Sequence, residues 1–371
     1  MRALTIAIDA SRTTSARRTG TENYALRLLR ALLALETPHR YHLYFRDTPP
    51  PDLFPAHPNV SVHVLPWPRL WTHTRFAAAL WRARPDVTFV PAHTLPLWFP
   101  GAAVVTVHDL GYRHFPQAHP SFARRYLEWS TRHSAHRATY VLADSKATAR
   151  DLAAAYHVPP EKITVVYPGV DETLAPVTDP ARLAAVRRRY GLPERYLLFL
   201  GTLQPRKNIA RLVQGYARWR AQTASPDVAL VLAGQRGWLY DPAWTQGVEG
   251  VILTGYVDDA DIPALYSGAL ALVFPSLYEG FGFPVLEAMR CGTPVITGTT
   301  SSLPEVAGDA ALLVDPLDVP AIAHAIARIV DEPTLREELR ARGHAQTRRF
   351  TWRRAAERTL HTLEAAANLR A

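Results

Sequence analysis

YEGFGFPVLEAMRCGTPVITG, residues 278–298, runs from a glycine-flanked loop through a proline-started helix into a short apolar strand. Glu279 and Glu287 stand at the two ends of the loop and first helical turn, with seven residues between them. Between them lie Gly280, Phe281, Gly282 and Phe283, and Pro284 opens the helix. Main-chain N–H groups and the positive end of a helix dipole can meet an anion there. A carboxylate cannot itself hold phosphate, so Glu279 and Glu287 are read as gripping uncharged, hydroxyl-bearing parts of the same ligand. Phosphate in the middle with polyol on both sides describes a nucleotide-diphosphate sugar.

Outward from this stretch, short apolar runs alternate with longer helical patterns along the chain, the sign of parallel α/β units. Strands are expected at 4–9, 41–45, 60–64, 87–90, 103–107, 140–143 and 163–166. A polar, proline-bearing stretch at 171–180 follows, and strands resume at 196–200, 228–233, 251–254, 270–274, 294–297 and 311–314. The fold class is therefore α/β with two Rossmann-like, doubly wound domains, 1–172 and 191–349, joined by a hinge at 173–190. Residues 350–371 form one helical segment with Thr351 placed to cap it. In open α/β sheets ligands sit at the carboxyl ends of the strands. Gly20, His108, Asp109, Arg206, Lys207 and Glu279 all follow predicted strands.

Four segments together resemble one family. The E-x7-E pattern of Glu279 and Glu287, GTLQPRKN at 201–208, VTVHDL at 105–110 and SSLPEVAGDAALLVDP at 301–316 occur in the order of retaining, mannosyltransferase-like glycosyltransferases of family 4. The resemblance implies the GT-B fold, with two Rossmann-like domains facing across a cleft and the terminal helix crossing back to the first domain. It also implies that Glu287 accepts hydrogen bonds from ribose hydroxyls, that Glu279 and His108 face the transferred sugar, and that Tyr256 and Val257 flank the nucleobase. Core packing is an equally good account of Val257. Asp109 either orients His108 or caps the next turn. Gly201, Gly280 and Gly282 let main chain approach the donor closely. Gly20, in the loop SRTTSARRTGTENY, has the same freedom, although similar proteins carry a shorter, more glycine-rich loop.

When a sugar leaves its nucleotide, negative charge grows on the diphosphate, and cations aimed at the departing oxygens lower the barrier. Arg206 offers a planar fork and Lys207 a compact charge. Lysine occurs only at 146, 162 and 207, so an ammonium at 207 goes against the composition of the chain. Asp259 and Asp261 formally spell an acidic pair for a divalent ion, but they precede IPALYSGA and are read as caps of that helix. The reaction is expected to need no cofactor and no divalent metal. Retention, by front-face attack of the acceptor hydroxyl, is implied by the resemblance alone.

The remaining features set limits. No run approaches the eighteen or so apolar residues of a membrane span, MRALTIAIDASR reads as a first strand rather than a signal peptide, and Cys291 is the only cysteine. A cytoplasmic location is the default. The net charge of +9 is carried almost wholly by arginine, with clusters at Arg12, Arg17, Arg18, Arg27 and Arg30 and at Arg124, Arg125, Arg132 and Arg137. The second cluster alternates with Phe122, Tyr126 and Trp129, read as a solvated helix with a few core aromatics; the other reading is peripheral contact with an anionic membrane. No nucleic-acid module accompanies the charge.

Three other functions fit these residues less well. A glycosidase would have no use for Arg206 and Lys207 beside its carboxylates. A non-catalytic nucleotide-sugar binder would not require Glu279 and His108. A dinucleotide oxidoreductase would carry G-x-G-x-x-G after an opening strand, and none is present. The expected activity is hexosyl transfer from a nucleotide-sugar donor, GDP-mannose first and a UDP-hexose second. The acceptor is a saccharide or lipid-linked hydroxyl in cell-surface polysaccharide or glycolipid synthesis.

Overall fold

The computed structural model describes residues 2–15, 20–55, 57–118 and 120–369. Arg17 and Arg18 of the N-terminal basic cluster lie outside the described residues. The chain divides into two compact units, one made of Met1–Gly169 with Thr351–Ala371, the other of Val170–Phe350.

The first unit is built on a seven-stranded sheet: β1 (Thr5–Asp9), β2 (Arg40–Phe45), β3 (Val60–Val64), β4 (Val87–Val90), β5 (Ala102–Val107), β6 (Tyr140–Ala143) and β7 (Ile163–Val165). Its spatial order is β3-β2-β1-β4-β5-β6-β7, and every pairing is parallel. The strands β4 (VTFV) and β5 (AAVVTV) are buried at every position, as expected of strands covered on both faces. The helix Gly20–Leu33 supplies one cover, burying Leu28, Leu29 and Leu32.

The terminal helix Trp352–Asn368 packs in this same unit, against Gly20–Leu33 and against β5. Thr351 Oγ1 accepts from the Arg354 N–H at 3.2 Å and caps it. Glu364 holds it to the start of β2 through His39 Nε2 at 3.0 Å, while His39 Nδ1 accepts from the Leu4 N–H at 3.2 Å. Gly169 lies so close that a Cβ there would sit 2.2 Å from the Trp352 nitrogen.

The second unit has six parallel strands: β8 (Tyr196–Leu200), β9 (Ala229–Ala233), β10 (Val251–Gly255), β11 (Ala271–Phe274), β12 (Val295–Gly298) and β13 (Leu312–Val314). Their order is β10-β9-β8-β11-β12-β13. Chain order therefore reverses direction between β8 and β11, as it does between β1 and β4 in the first unit, and such a switch point opens a crevice at the carboxyl ends of the strands.

Two expectations need correction here. Much of the segment read as a hinge is a helix, Pro180–Tyr190, packed on the helix Ile262–Ser267 of the second unit. Asp179 caps it by accepting from the Ala181 N–H, and Gly191, at φ +63°, ends it. Proline at a first helical turn costs no hydrogen bond, so a stretch that looked like a linker breaker is a helix start. The aromatics of the helix Ser121–Arg137 are also not core: Phe122 is 84% exposed, and Tyr126 and Trp129 are exposed as well, while the buried side is Ser130, Thr131, Ser134 and Ala135. Among the described residues no helix is long and apolar enough to cross a membrane.

Candidate active site

At the switch point of the second unit, the loop after β8 carries Arg206 and Lys207 and the loop after β11 carries Glu279. The structure joins all three. Lys207 Nζ lies 2.6 Å from Glu279 Oε1, and Arg206 Nη1 lies 2.9 Å from Glu279 Oε2 and 2.8 Å from the Tyr278 carbonyl. Two positive charges on one carboxylate leave the triad with a formal net charge of +1. Burial opposes ionisation of Glu279, yet Arg206 and Lys207 outweigh it and hold the carboxyl below its ordinary range. Lys207 also stands over the Phe274 ring, 4.7 Å from its centre.

The two loops are pinned to each other by their backbones. The Leu277 N–H donates to the Arg206 carbonyl at 2.9 Å. Asn208 adopts φ +61° and its buried amide donates to the carbonyls of Pro275 at 3.1 Å and Pro316 at 2.6 Å. Such a left-handed turn suits asparagine better than most residues. The single Ser302 Oγ proton is shared between the Glu279 and Phe281 carbonyls, 2.9 and 2.7 Å away, and Ser301 Oγ accepts from the Glu279 N–H at 2.9 Å. Asn208, Ser301 and Ser302 belong to segments that the sequence singled out, but their locking role was missed because each acts on main chain distant in sequence.

Gly282, at φ +105°, leads into the helix Phe283–Arg290, with proline in its first turn. Glu287 lies on this helix, and its Oε2 accepts from the buried Tyr266 hydroxyl at 3.0 Å. Gly201, at φ +149°, follows β8 and is approached by Gly234: a Cβ on Gly234 would fall 2.1 Å from the Gly201 carbonyl oxygen. Gly280 and Phe281 are buried in the loop. After β10, Tyr256 is 59% exposed, whereas Val257 is buried, so Val257 packs in the core.

The acidic pair departs from the sequence reading. Neither Asp259 nor Asp261 makes a side-chain cap. Asp261 is instead buried under two arginines, accepting from Arg182 at 2.6 Å and Arg189 at 2.7 Å, and from the Tyr190 hydroxyl at 2.9 Å. The helix Pro180–Tyr190, invisible in the composition, brings these donors and outcompetes the cap. Among the described residues no group of three or more His, Cys, Asp or Glu side chains is placed to hold a metal ion.

In the first unit, His108 follows β5 and is buried. Its Nδ1 meets Asp144 Oδ2 at 2.7 Å, and its N–H donates to His93 Nε2 at 3.4 Å. Asp109 caps the following turn, accepting from the Gly111 N–H at 2.8 Å. Asp144 was passed over in the sequence; the signal available was an acid directly after a buried strand. Gly20 is corrected in place: it is the first residue of the helix Gly20–Leu33 rather than part of a loop, and a Cβ there would meet nothing within 4 Å. Cys291 is buried, which pushes its thiol up to about 12.

Comparison with known proteins identifies the family and the fold. Residues 186–346 match the sequence model of Glycosyl transferases group 1, and residues 18–174 that of Glycosyltransferase Family 4. The O-antigen chain mannosyltransferase B of Escherichia coli is 37% identical over 265 residues, 70% of this chain and 69% of that protein. The serotype-specific mannosyltransferase WbdA of Escherichia coli is 32% identical over 59% of this chain but only 28% of its own length. Among solved structures, a sucrose-phosphate synthase from Thermosynechococcus elongatus superposes with TM-score 0.72 at 24% identity, covering 98% of both chains. HepE of Anabaena, in complex with UDP and glucose, gives TM-score 0.72 at 18% identity, covering 98% of this chain and all, 100%, of that one. These likenesses establish the GT-B fold.

Proposed function

Because the chain belongs to family 4 of the glycosyltransferases, we propose that it transfers mannose from GDP-mannose, with retention and without a metal ion, to a hydroxyl of a growing cell-surface saccharide. One observation carries the chemistry: two cations converge on a single acid at the sheet's switch point, beside a helix N-terminus. A diphosphate placed there meets Arg206, Lys207 and the N–H groups that open the helix Phe283–Arg290. As the anomeric C–O bond stretches, the charge passing to the β-phosphate is met by fixed positives that need no reorganisation. Glu287, steadied by Tyr266, takes the ribose hydroxyls; Tyr256 lies over the base. Glu279 and His108 meet the transferred sugar. Attack by the acceptor hydroxyl on the face that the phosphate leaves, with that phosphate taking the proton, needs no protein nucleophile. Two mannosyltransferases among the relatives support mannose as the sugar.

Thermal-shift measurements with GDP, UDP, ADP and dTDP test the donor. GDP is expected to stabilise most, and GDP as the one nucleotide without effect would overturn the mannose assignment. Transfer that stops in EDTA and returns with magnesium or manganese would overturn the metal-free mechanism.

The same proposal includes peripheral contact with anionic lipid through the first unit. Phe122, Tyr126 and Trp129 follow helical spacing on an exposed stripe that also carries Arg125 and Arg132. His73 joins Tyr126 at 3.3 Å, and Arg75 stands over exposed Trp67. No acidic residue occurs from 53 to 85. Aromatic bodies with arginine heads suit a charged bilayer interface. Sedimentation with phosphatidylglycerol vesicles, but not phosphatidylcholine vesicles, is expected, and the triple variant F122S/Y126S/W129S should lose it. Equal recovery with both lipids, or undiminished binding by the variant, counts against the contact.

A further inference from the structure

We propose that Asp144 is a positioning residue of the transfer reaction, holding His108 with its Nδ1 proton turned inward so that Nε2 is presented to the sugar. This rests on the reading of His108 as a sugar contact. The pairing is set by the sheet. β5 and β6 run parallel with Val107 opposite Ala143, so the next residue of each strand, His108 and Asp144, emerges at the same level. The two side chains are only 11% and 5% exposed; burial raises the Asp144 carboxyl pKa against the pull of His108, and in its ionised form the carboxylate at 2.7 Å can only accept, which places the proton on Nδ1.

Everything else around the ring keeps it in place. The His108 N–H donates to His93 Nε2 and Thr148 Oγ1 donates to the His108 carbonyl at 3.1 Å. The Tyr24 ring meets the imidazole edge-on, 4.6 Å between centres. Nε2 is then the nitrogen left over: it is buried and has no hydrogen-bond partner, although the Pro91 carbonyl lies near enough to favour a protonated ring. Asp144 Oδ1 is likewise buried without a partner, an arrangement that a carboxylate kept only for stability would not need.

The groups facing His108 are Asp144, the neighbouring Asp109, His93 and Tyr24. Burial works against charge on His108, but the two aspartates outweigh it and raise its pKa above the ordinary value. His93 is driven the other way by burial, to about 3, and remains neutral. The two adjacent imidazoles are thus pushed in opposite directions, His108 toward the charged form and His93 away from it, and a protonated His108 has an Nε2–H to donate to a sugar hydroxyl. No bond to carbon is made or broken by the ring.

The test follows His108 by 15N-histidine NMR of the full chain between pH 5 and 9, its signal assigned by loss in His108→Gln. Wild type should titrate above the usual histidine range. Asp144→Asn should lower the midpoint by about one unit, and the alkaline limb of kcat with GDP-mannose should move down with it, about a tenfold loss on that limb. KM for GDP-mannose should change less than about twofold, since the nucleotide is held elsewhere. Asp144→Glu, which keeps the charge, should restore part of the midpoint. A wild-type midpoint at or below the usual value overturns the proposal, whatever the variants do. So does an Asp144→Asn protein whose kcat falls with no change in pH profile. Normal turnover by His108→Gln would instead sink the sugar-contact reading while leaving the NMR evidence for the pair intact.

Discussion

Replacing Glu279 by Gln separates what the acid does for the fold from what the cations do for the ligand. The substitution keeps the shape but removes the one negative charge between Arg206 and Lys207, whose side chains are 22% and 10% exposed. Breaking a buried pair by removing one partner costs about 3–5 kcal/mol, and the partial exposure of Arg206 places this case at ~3 kcal/mol. For a cooperative unit the size of Val170–Phe350, that is a fall of about 6–12 °C in Tm. The same change takes the triad from a net +1 to +2, so GDP should bind at least as tightly and should restore more of the lost Tm than it adds to wild type. On the proposed role of Glu279 toward the sugar, turnover should fall. Linkage gives a second signature. The folded-state pKa of Glu279 is depressed, so its stabilisation is present above the unfolded carboxylate value of 4.5 and is lost as pH falls through the lower folded value. Glu279→Gln should therefore lose less stability than wild type below that pH. An unchanged Tm combined with lost GDP affinity would refute the reasoning, since it would mean that Glu279 touches the nucleotide and does not hold the cations.

Three further outcomes follow. Tyr266→Phe removes the hydroxyl that steadies Glu287 and should weaken GDP binding about fivefold, close to ~1 kcal/mol, by calorimetry; an unchanged Kd would detach Glu287 from the ligand. Gly20→Ala, in open space at a helix start, should leave transfer intact and raise stability by up to ~1 kcal/mol in denaturant melts; loss of turnover would put Gly20 back at the donor. When a diphosphate neutralises Arg206 and Lys207, the Glu279 pKa must rise, so GDP binding near pH 4.5 should take up more protons in wild type than in Glu279→Gln. Calorimetry in buffers of different ionisation enthalpy measures that difference, and equal proton uptake in the two proteins would argue against it.

The strands were legible because parallel sheets covered on both faces write themselves as unbroken apolar runs, as AAVVTV and ALVLA do. The site's cations and acid were legible because their neighbours in sequence form motifs: RKN beside a strand end, EGFGFP before a helix. What stayed hidden depends on partners far along the chain. Asp144 gains its meaning only from the β5–β6 register, and Asp261 only from arginines on a helix that proline and charge had disguised. Phe122, Tyr126 and Trp129 mislead in a different way. Their spacing of four and three is that of a buried stripe, and nothing local shows that Ser130, Thr131 and Ala135 take the inner side instead.

A carboxylate amid the cations of the proposed phosphate site looks self-defeating, since it cancels half of their charge. The geometry explains why it can stay. Without that acid, two positives gathered at one point, in surroundings with little water, would splay apart or Lys207 would lose its proton. Glu279 holds Lys207 at 2.6 Å and Arg206 at 2.9 Å, and is itself held through the Ser301 contact to its N–H and the Ser302 contact to its carbonyl. The cations are thereby fixed before any nucleotide arrives, which is the preorganisation that leaving-group stabilisation requires. On the proposed reading, a diphosphate, which carries more negative charge than the acid does, would take over as their stronger partner. Glu279 would then be relieved of part of its load when a sugar must be oriented and the positive charge growing on its ring must be met. One acid could serve both the empty and the loaded site if Lys207 and Arg206 change partner while the loop that carries it stays pinned.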